Sequence, residues 1–234
     1  MKTNISIFMD GANLSDIQNL IEFGFVSGIT TNPTLMNKSG VEDYETFGRT
    51  VADLAGDIQV SFEVLSTDPA LVLDEANKIN AWGDNVWVKI PIVTGKGKSL
   101  IPTIVAAQKA GIRVNITAVF STNQISMLAD VLHETMPVIV SIFAGRIADT
   151  GTNPADIFRF AKKKFSGNPN VDLLWASTRQ VYSIVEAEEC GADIITVSPD
   201  ILSKMHFLGK DLEEYSAETV KMFEDDASAS GLSL

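Results

Sequence analysis

Eight short β-rich runs, distributed along the whole chain, constrain the fold more than any other feature. They are Ile5 to Asp10, Gly28 to Thr31, Ile58 to Glu63, Val86 to Ile90, Arg113 to Thr117, Pro137 to Ile142, Val171 to Ala176 and Asp193 to Val197. Their centres lie about 22 to 34 residues apart, the room taken by one strand and one helix in a parallel βα unit. Between the runs, apolar residues recur at helical spacing, as in Leu71, Val72, Ala76 and Ile79, or Ile125, Leu128, Ala129 and Leu132. Thr67-Asp68-Pro69 and Ser198-Pro199-Asp200 put a capping residue beside a helix-starting proline, and Gly111 and Gly191 fall where helices should stop. Eight alternating units predict an α/β protein with a (β/α)8 TIM barrel. An open doubly wound sheet would need a glycine-rich loop after the first strand, and Asp10-Gly11-Ala12-Asn13 is not one.

The barrel accounts for residues 1–208. Residues 209–234 are left as a C-terminal helical extension and tail of the same domain. Ser198 to Leu208 and Asp211 to Ala227 read as two further helical segments, with Ser228 to Leu234 as a frayed end. A net charge of −12 argues against nucleic acid and anionic membrane surfaces as partners. One cysteine, Cys190, fits a reducing compartment, and no apolar stretch or leader suggests a membrane or export, so a cytoplasmic protein is expected. With only His133 and His206 available, a histidine-rich metal site is not expected, and no cofactor is implied.

Among the thirteen lysines, Lys89 alone sits tightly between bulky apolar residues, in Val86-Trp87-Val88-Lys89-Ile90-Pro91. An uncompensated buried ammonium is costly, so such a lysine is expected to titrate low and act as a nucleophilic amine. The competing reading is a lysine that snorkels to solvent or pairs with a carboxylate. In a barrel, chemistry gathers at the C-terminal ends of the strands. The polar residues there are Asp10, Thr31 with Asn32, Glu63, Lys89, Asn115 with Thr117, Ser141 and Ser177. Each alone has an ordinary explanation: Asp10 could cap a helix and Asn32-Pro33 could be a turn. Together they surround a central lysine with carboxylates, amides and hydroxyls. Of the five arginines, Arg146 and Arg179 follow late strands, the frequent phosphate location in this fold.

At these residues the chain resembles the transaldolase family, specifically its short-chain branch, which also includes fructose-6-phosphate aldolases. The resemblance rests on six ordered motifs between about residues 5 and 208. They are Gly28 to Leu35, Val88 to Pro91, Asn115 to Ser121, Phe143 to Ile147, Ala176 to Arg179, and Thr196 to Leu202. It implies that Lys89 forms a Schiff base with a ketose phosphate and that Asp10 takes the C4 hydroxyl proton. It further implies that Glu63 and Thr117 shuttle protons through a water. Thr31, Asn32, Asn115, Ser141 and Phe143 would contact the donor, and Arg146, Ser177 and Arg179 its phosphate. The partners implied are small sugar phosphates and further copies of the chain, as a pentamer or decamer.

The resemblance favours a transaldolase of the pentose phosphate pathway over an aldolase that releases free dihydroxyacetone. The aldolases tend to carry Gln at the position of Glu63 and Tyr at that of Phe143. The chain departs from many relatives at Ile142, at Ala148-Asp149 and at Gln180-Val181. A sugar-phosphate sensor and a barrel isomerase are weaker alternatives. The first has no use for an uncompensated amine, and the second wants a histidine or metal in the pocket.

Overall fold

The computed structural model describes residues 4–132 and 136–231. His133 lies outside these residues, as do the first three residues and the last three of the tail. The eight strands are β1 (Ser6–Asp10), β2 (Gly28–Thr30), β3 (Gln59–Glu63), β4 (Val86–Pro91), β5 (Val114–Val119), β6 (Val138–Ile142), β7 (Val171–Trp175) and β8 (Ile194–Val197). All neighbours pair in parallel and β8 returns to β1, closing the barrel in sequence order. The open sheet is thereby excluded. The expected runs match the strands to within one or two residues.

Between the strands lie α1 (Leu14–Glu22), α2 (Pro33–Lys38), α3 (Tyr44–Ala55), α4 (Pro69–Asn80), α5 (Ile101–Lys109), α6 (Thr122–Ala129), α7 (Ala144–Asp149), α8 (Pro154–Lys164) and α9 (Ser183–Glu189). Their starts follow ordinary capping chemistry. Asp68 accepts from the Ala70 amide with Pro69 at the first helical position, and Ser121 with Gln124 forms a capping box at α6. Gly111 and Gly191, just past α5 and α9, adopt φ of 82° and 81°, where a side chain would be strained.

The sheet divides the apolar residues into two cores. Alternate residues of a strand face opposite sides, so one set faces the helices and the other the barrel axis. Met9, Ile29, Phe62, Val88, Ile90, Ile116, Val140, Trp175 and Val197 belong to the outer core, packed with helix residues such as Ile17, Val51, Ile104 and Phe158. Phe8, Trp87, Ile139, Leu174, Ala176 and Ile194 form a separate inner cluster. Gly28 is required beside it: a Cβ there would lie 2.5 Å from the Phe8 ring. This inner cluster plugs the barrel. Two residues further along β1, β4, β6 and β8, the same face carries Asp10, Lys89, Ser141 and Thr196.

After β8 come α10 (Pro199–Leu202), a 3-10 turn (Met205–Phe207) and α11 (Leu212–Ser230). The expected helix from Ser198 to Leu208 is thus a short helix followed by a turn. The expected fraying from Ser228 is also corrected, because α11 continues to Ser230. No residue of α11 is buried, and Leu212, Val220, Met222 and Phe223 are all at least half exposed. Its first turns touch the body, where Tyr215 stacks on Phe207 with ring centroids 5.1 Å apart. No described helix is long and apolar enough to cross a membrane.

Candidate active site

A cavity of about 590 Å³ opens at the C-terminal end of the strands. Its lining includes Asp10, Asn32, Glu63, Lys89, Thr117, Ser141, Phe143, Arg146, Ser177 and Arg179. Ten of the twelve side chains singled out in the sequence therefore meet around one space. Strand register explains part of this meeting. Glu63 pairs with Lys89 in β3–β4, and Pro91 with Thr117 in β4–β5.

Lys89 is 6% exposed, with the outer core behind its strand and the inner plug beneath it. Its amine is not uncompensated, which corrects the sequence expectation. The ammonium nitrogen donates to the Thr31 carbonyl at 2.7 Å and lies 3.3 Å from Glu63 Oε2. Burial in a closed barrel still requires a partner for the charge, and the neighbouring strand supplies it. Any proton that leaves this nitrogen has a carboxylate beside it.

Asp10 caps nothing; Asn13 caps α1 by accepting from the Asp16 amide. The Asp10 carboxyl is instead half-buried at the end of β1, and desolvation there pushes its pKa above the ordinary carboxylate range. The Lys89 charge and a hydrogen bond from Thr30 pull it back down. Thr30 Oγ1 donates to Asp10 Oδ1 at 2.8 Å, and the Thr196 hydroxyl lies 2.5 Å from Thr30 Oγ1. Sequence reasoning chose Thr31 and passed over Thr30. Strand alternation could have found the right one, because Thr30 pairs directly with Asp10 in β1–β2.

Thr31 does not line the cavity; its carbonyl holds Lys89, and its own hydroxyl is buried without a partner among the described residues. Asn115 also stays out of the lining. It donates to Ser61 Oγ at 3.1 Å and accepts from Ser141 Oγ at 2.6 Å, a fully buried chain linking β3, β5 and β6. Ser61 was not anticipated, since it precedes the strand end. Asn32 caps α2 through its carbonyl oxygen, which takes the Leu35 amide at 3.0 Å. Its amide NH2 is left for other work. The Thr117 hydroxyl is buried and has no partner among the described residues, which leaves it available to a molecule in the cavity.

Two described residues other than glycine have positive φ, Ala118 at 57° and Ser177 at 62°, and both line the cavity. Such backbone costs about 1–3 kcal/mol per residue and tends to cluster at functional sites. At Ala118 the strain accompanies a register shift in β5 between Ile116 and Val119. At Ser177 it accompanies a close approach, since a Cβ on Gly145 would lie 1.7 Å from the Ser177 carbonyl oxygen. Gly145 is thus what lets α7 and the loop after β7 come together, carrying Arg146 and Arg179.

The two arginines differ. Arg179 makes an exposed ion pair with Asp149 at 2.7 Å. Arg146 has no carboxylate within ion-pair distance among the described residues and lies over the Phe143 ring at 5.8 Å. An exposed pair like that of Arg179 is worth only about 0–1 kcal/mol, so a phosphate can displace Asp149. Ser198 starts α10 without a side-chain cap bond, against expectation, and lines the cavity instead. His206 bonds the Ser203 carbonyl and is not part of the lining. Among the described residues, no group of three or more His, Cys, Asp or Glu is placed to hold a metal ion.

The family model for transaldolase/fructose-6-phosphate aldolase matches residues 7–234. A probable transaldolase of Nitrosopumilus maritimus is 36% identical over 203 residues, covering 86% of this chain and 87% of that protein. One of Dehalococcoides mccartyi is 35% identical over 205 residues, covering 85% and 89%. Among solved structures, 2,3-dimethylmalate lyase aligns with a TM-score of 0.56 at 12% identity, over 98% of this chain and 85% of that one, a likeness of fold alone. With a family model spanning nearly all of its length and relatives above 30% identity, the chain belongs to the transaldolase/fructose-6-phosphate aldolase family of enzymes.

Proposed function

We propose that this enzyme is a transaldolase of the pentose phosphate pathway. It moves a dihydroxyacetone unit from sedoheptulose 7-phosphate or fructose 6-phosphate to an aldose phosphate, through a Schiff base on Lys89. The observation that carries the reading is the Lys89 amine, enclosed in the barrel beside Glu63 and in the electrostatic reach of Asp10. The amine adds to the C2 carbonyl, and the carbinolamine loses water as Glu63, with the Thr117 hydroxyl, moves the protons. Asp10 then takes the proton of the C4 hydroxyl. The C3–C4 bond breaks, its electron pair flows to the iminium nitrogen, and the aldose phosphate leaves. The enamine left behind adds to the acceptor aldehyde, and the same steps in reverse release the new ketose. Asn32 and Ser141 contact the donor's hydroxyls, while Thr31 and Asn115 support the site from behind. Phe143 walls it, and Arg146, Ser177 and Arg179 receive the phosphate. Residues 1–208 form the catalytic barrel and 209–234 an extension of it.

The second reading, an aldolase that hydrolyses the enamine to free dihydroxyacetone, is disfavoured by Phe143. Its ring packs on Phe120 at 5.6 Å and offers no hydroxyl to activate a water. Sedoheptulose 7-phosphate supplied with and without glyceraldehyde 3-phosphate separates the two. Erythrose 4-phosphate formed only with the acceptor marks the transferase; free dihydroxyacetone without it marks the aldolase.

Arg179→Ala should raise KM for phosphorylated donors about 10- to 100-fold, the scale of a charge-assisted hydrogen bond. It should leave KM for free dihydroxyacetone nearly unchanged, and equal effects on both would remove the phosphate role.

The oligomer we propose is a ring of five copies or a pair of such rings, with α11 docked on a neighbour. A 19-residue helix with no buried residue and several exposed large apolar side chains lacks the packing that ordinarily sustains a helix. Deleting residues 211–234 should lower the number of copies per particle measured by light scattering. An unaltered copy number argues against α11 as the contact.

A further inference from the structure

Two hydroxyls near Asp10 have no task in the chemistry above. Thr30 is 2% exposed and Thr196 4%, and they sit on β2 and β8, the two strands that flank β1. An ionised carboxylate only accepts hydrogen bonds, so the 2.8 Å contact uses the single Thr30 proton on Asp10 Oδ1. With that proton committed, the 2.5 Å contact must run from the Thr196 hydroxyl to Thr30 Oγ1. The Thr196 residue is itself anchored, since its carbonyl accepts from Thr178 Oγ1 at 2.7 Å. A fixed row of donors therefore ends on one of the two Asp10 oxygens.

Resting on the reading of Asp10 as the base, we infer that Thr30, held in turn by Thr196, is a positioning residue. It commits Oδ1 to a standing hydrogen bond and leaves Oδ2 to take the C4 hydroxyl proton. A carboxylate free to rotate about its last bond would present either oxygen at varying angles. The row from β8 removes that freedom, so the proton acceptor keeps one direction relative to Lys89. The ionisable groups around Asp10 are Lys89 from β4 and Glu63 from β3, which pairs with Lys89. Arg146 on α7 and Arg179 in the loop after β7 line the same cavity, while β2 and β8 contribute only hydroxyls here. The bond from Thr30 favours the ionised carboxylate, so its loss should raise the Asp10 titration midpoint.

Carbon-13 NMR titration of the side-chain carboxyls in the full-length protein tests this, with the Asp10 signal assigned by its absence in Asp10→Asn. Thr30→Val, which keeps shape and removes the hydroxyl, should raise the Asp10 midpoint by about one pH unit. Thr30→Ser should return it to the wild-type value, and Thr196→Val should raise it by less than Thr30→Val. The acid limb of kcat/KM should move with the midpoint. An Asp10 midpoint unmoved in Thr30→Val, or not restored in Thr30→Ser, overturns the inference. Should Thr30→Val not fold, an unmoved midpoint in Thr196→Val overturns it as well. The underlying reading fails separately, by loss of borohydride labelling at Lys89 in the wild-type enzyme, whatever the titrations give.

Discussion

Lys89→Ala should abolish turnover, by roughly 10⁴-fold or more, the scale seen when a covalent nucleophile is removed. In the wild-type enzyme, borohydride reduction in the presence of fructose 6-phosphate should fix a three-carbon unit on Lys89, and mass spectrometry of the digested protein reads it directly. The variant should show no adduct at any lysine. Because Lys89 also neutralises Glu63 and fills space above the inner plug, the alanine form leaves a half-buried carboxylate without its partner. Lys89→Met keeps most of the volume and should be equally inactive with a smaller loss of stability. Circular dichroism and denaturant midpoints distinguish an inactive fold from an unfolded one. An adduct on a different lysine would falsify the assignment.

Asp10→Asn should lower kcat by about 10²- to 10⁴-fold, the range for a positioned general base. Asparagine keeps an oxygen that can accept from Thr30, so the barrel should fold unchanged. The imine should still form, but the C3–C4 bond should not break. Borohydride should therefore trap the six-carbon phosphorylated ketose on Lys89 in place of the three-carbon remnant, a mass difference that locates the blocked step. The pH dependence follows from the direction of the Asp10 shift. A base works while ionised, so activity is lost as pH falls through its pKa. Burial has moved that pKa up, so the decline should begin at a higher pH than for an exposed aspartate. A three-carbon adduct in Asp10→Asn at wild-type rate would reassign the base.

The barrel was legible because its units repeat and each strand is bounded by recognisable punctuation. The burial of Lys89 was legible because its neighbours along the chain are apolar on both sides. What the sequence concealed depends on contacts between strands. The Glu63 partner of Lys89 appears only through β3–β4 register, so the amine read as uncompensated. Thr30 and Thr31 are chemically identical neighbours, and a one-residue change of phase moves a side chain to the other face of the sheet. Ser61 and Thr196 stand short of the strand ends, where polarity is usually structural. The Arg179–Asp149 pair joins the loop after β7 to the end of α7, and their approach depends on Gly145 and on the positive φ of Ser177, neither of which periodicity reports.

The inner plug sets a hard floor under the site, while the far end is bounded by two long, exposed guanidinium side chains. In the proposed mechanism a sugar held at its second carbon cannot sink deeper, so any extra carbon would extend outward to the rim. Accommodating six- and seven-carbon donors would then fall to the arginine side chains, with no demand on the backbone. Broadening or narrowing the range of sugar lengths should accordingly be achievable at the rim without loosening the floor.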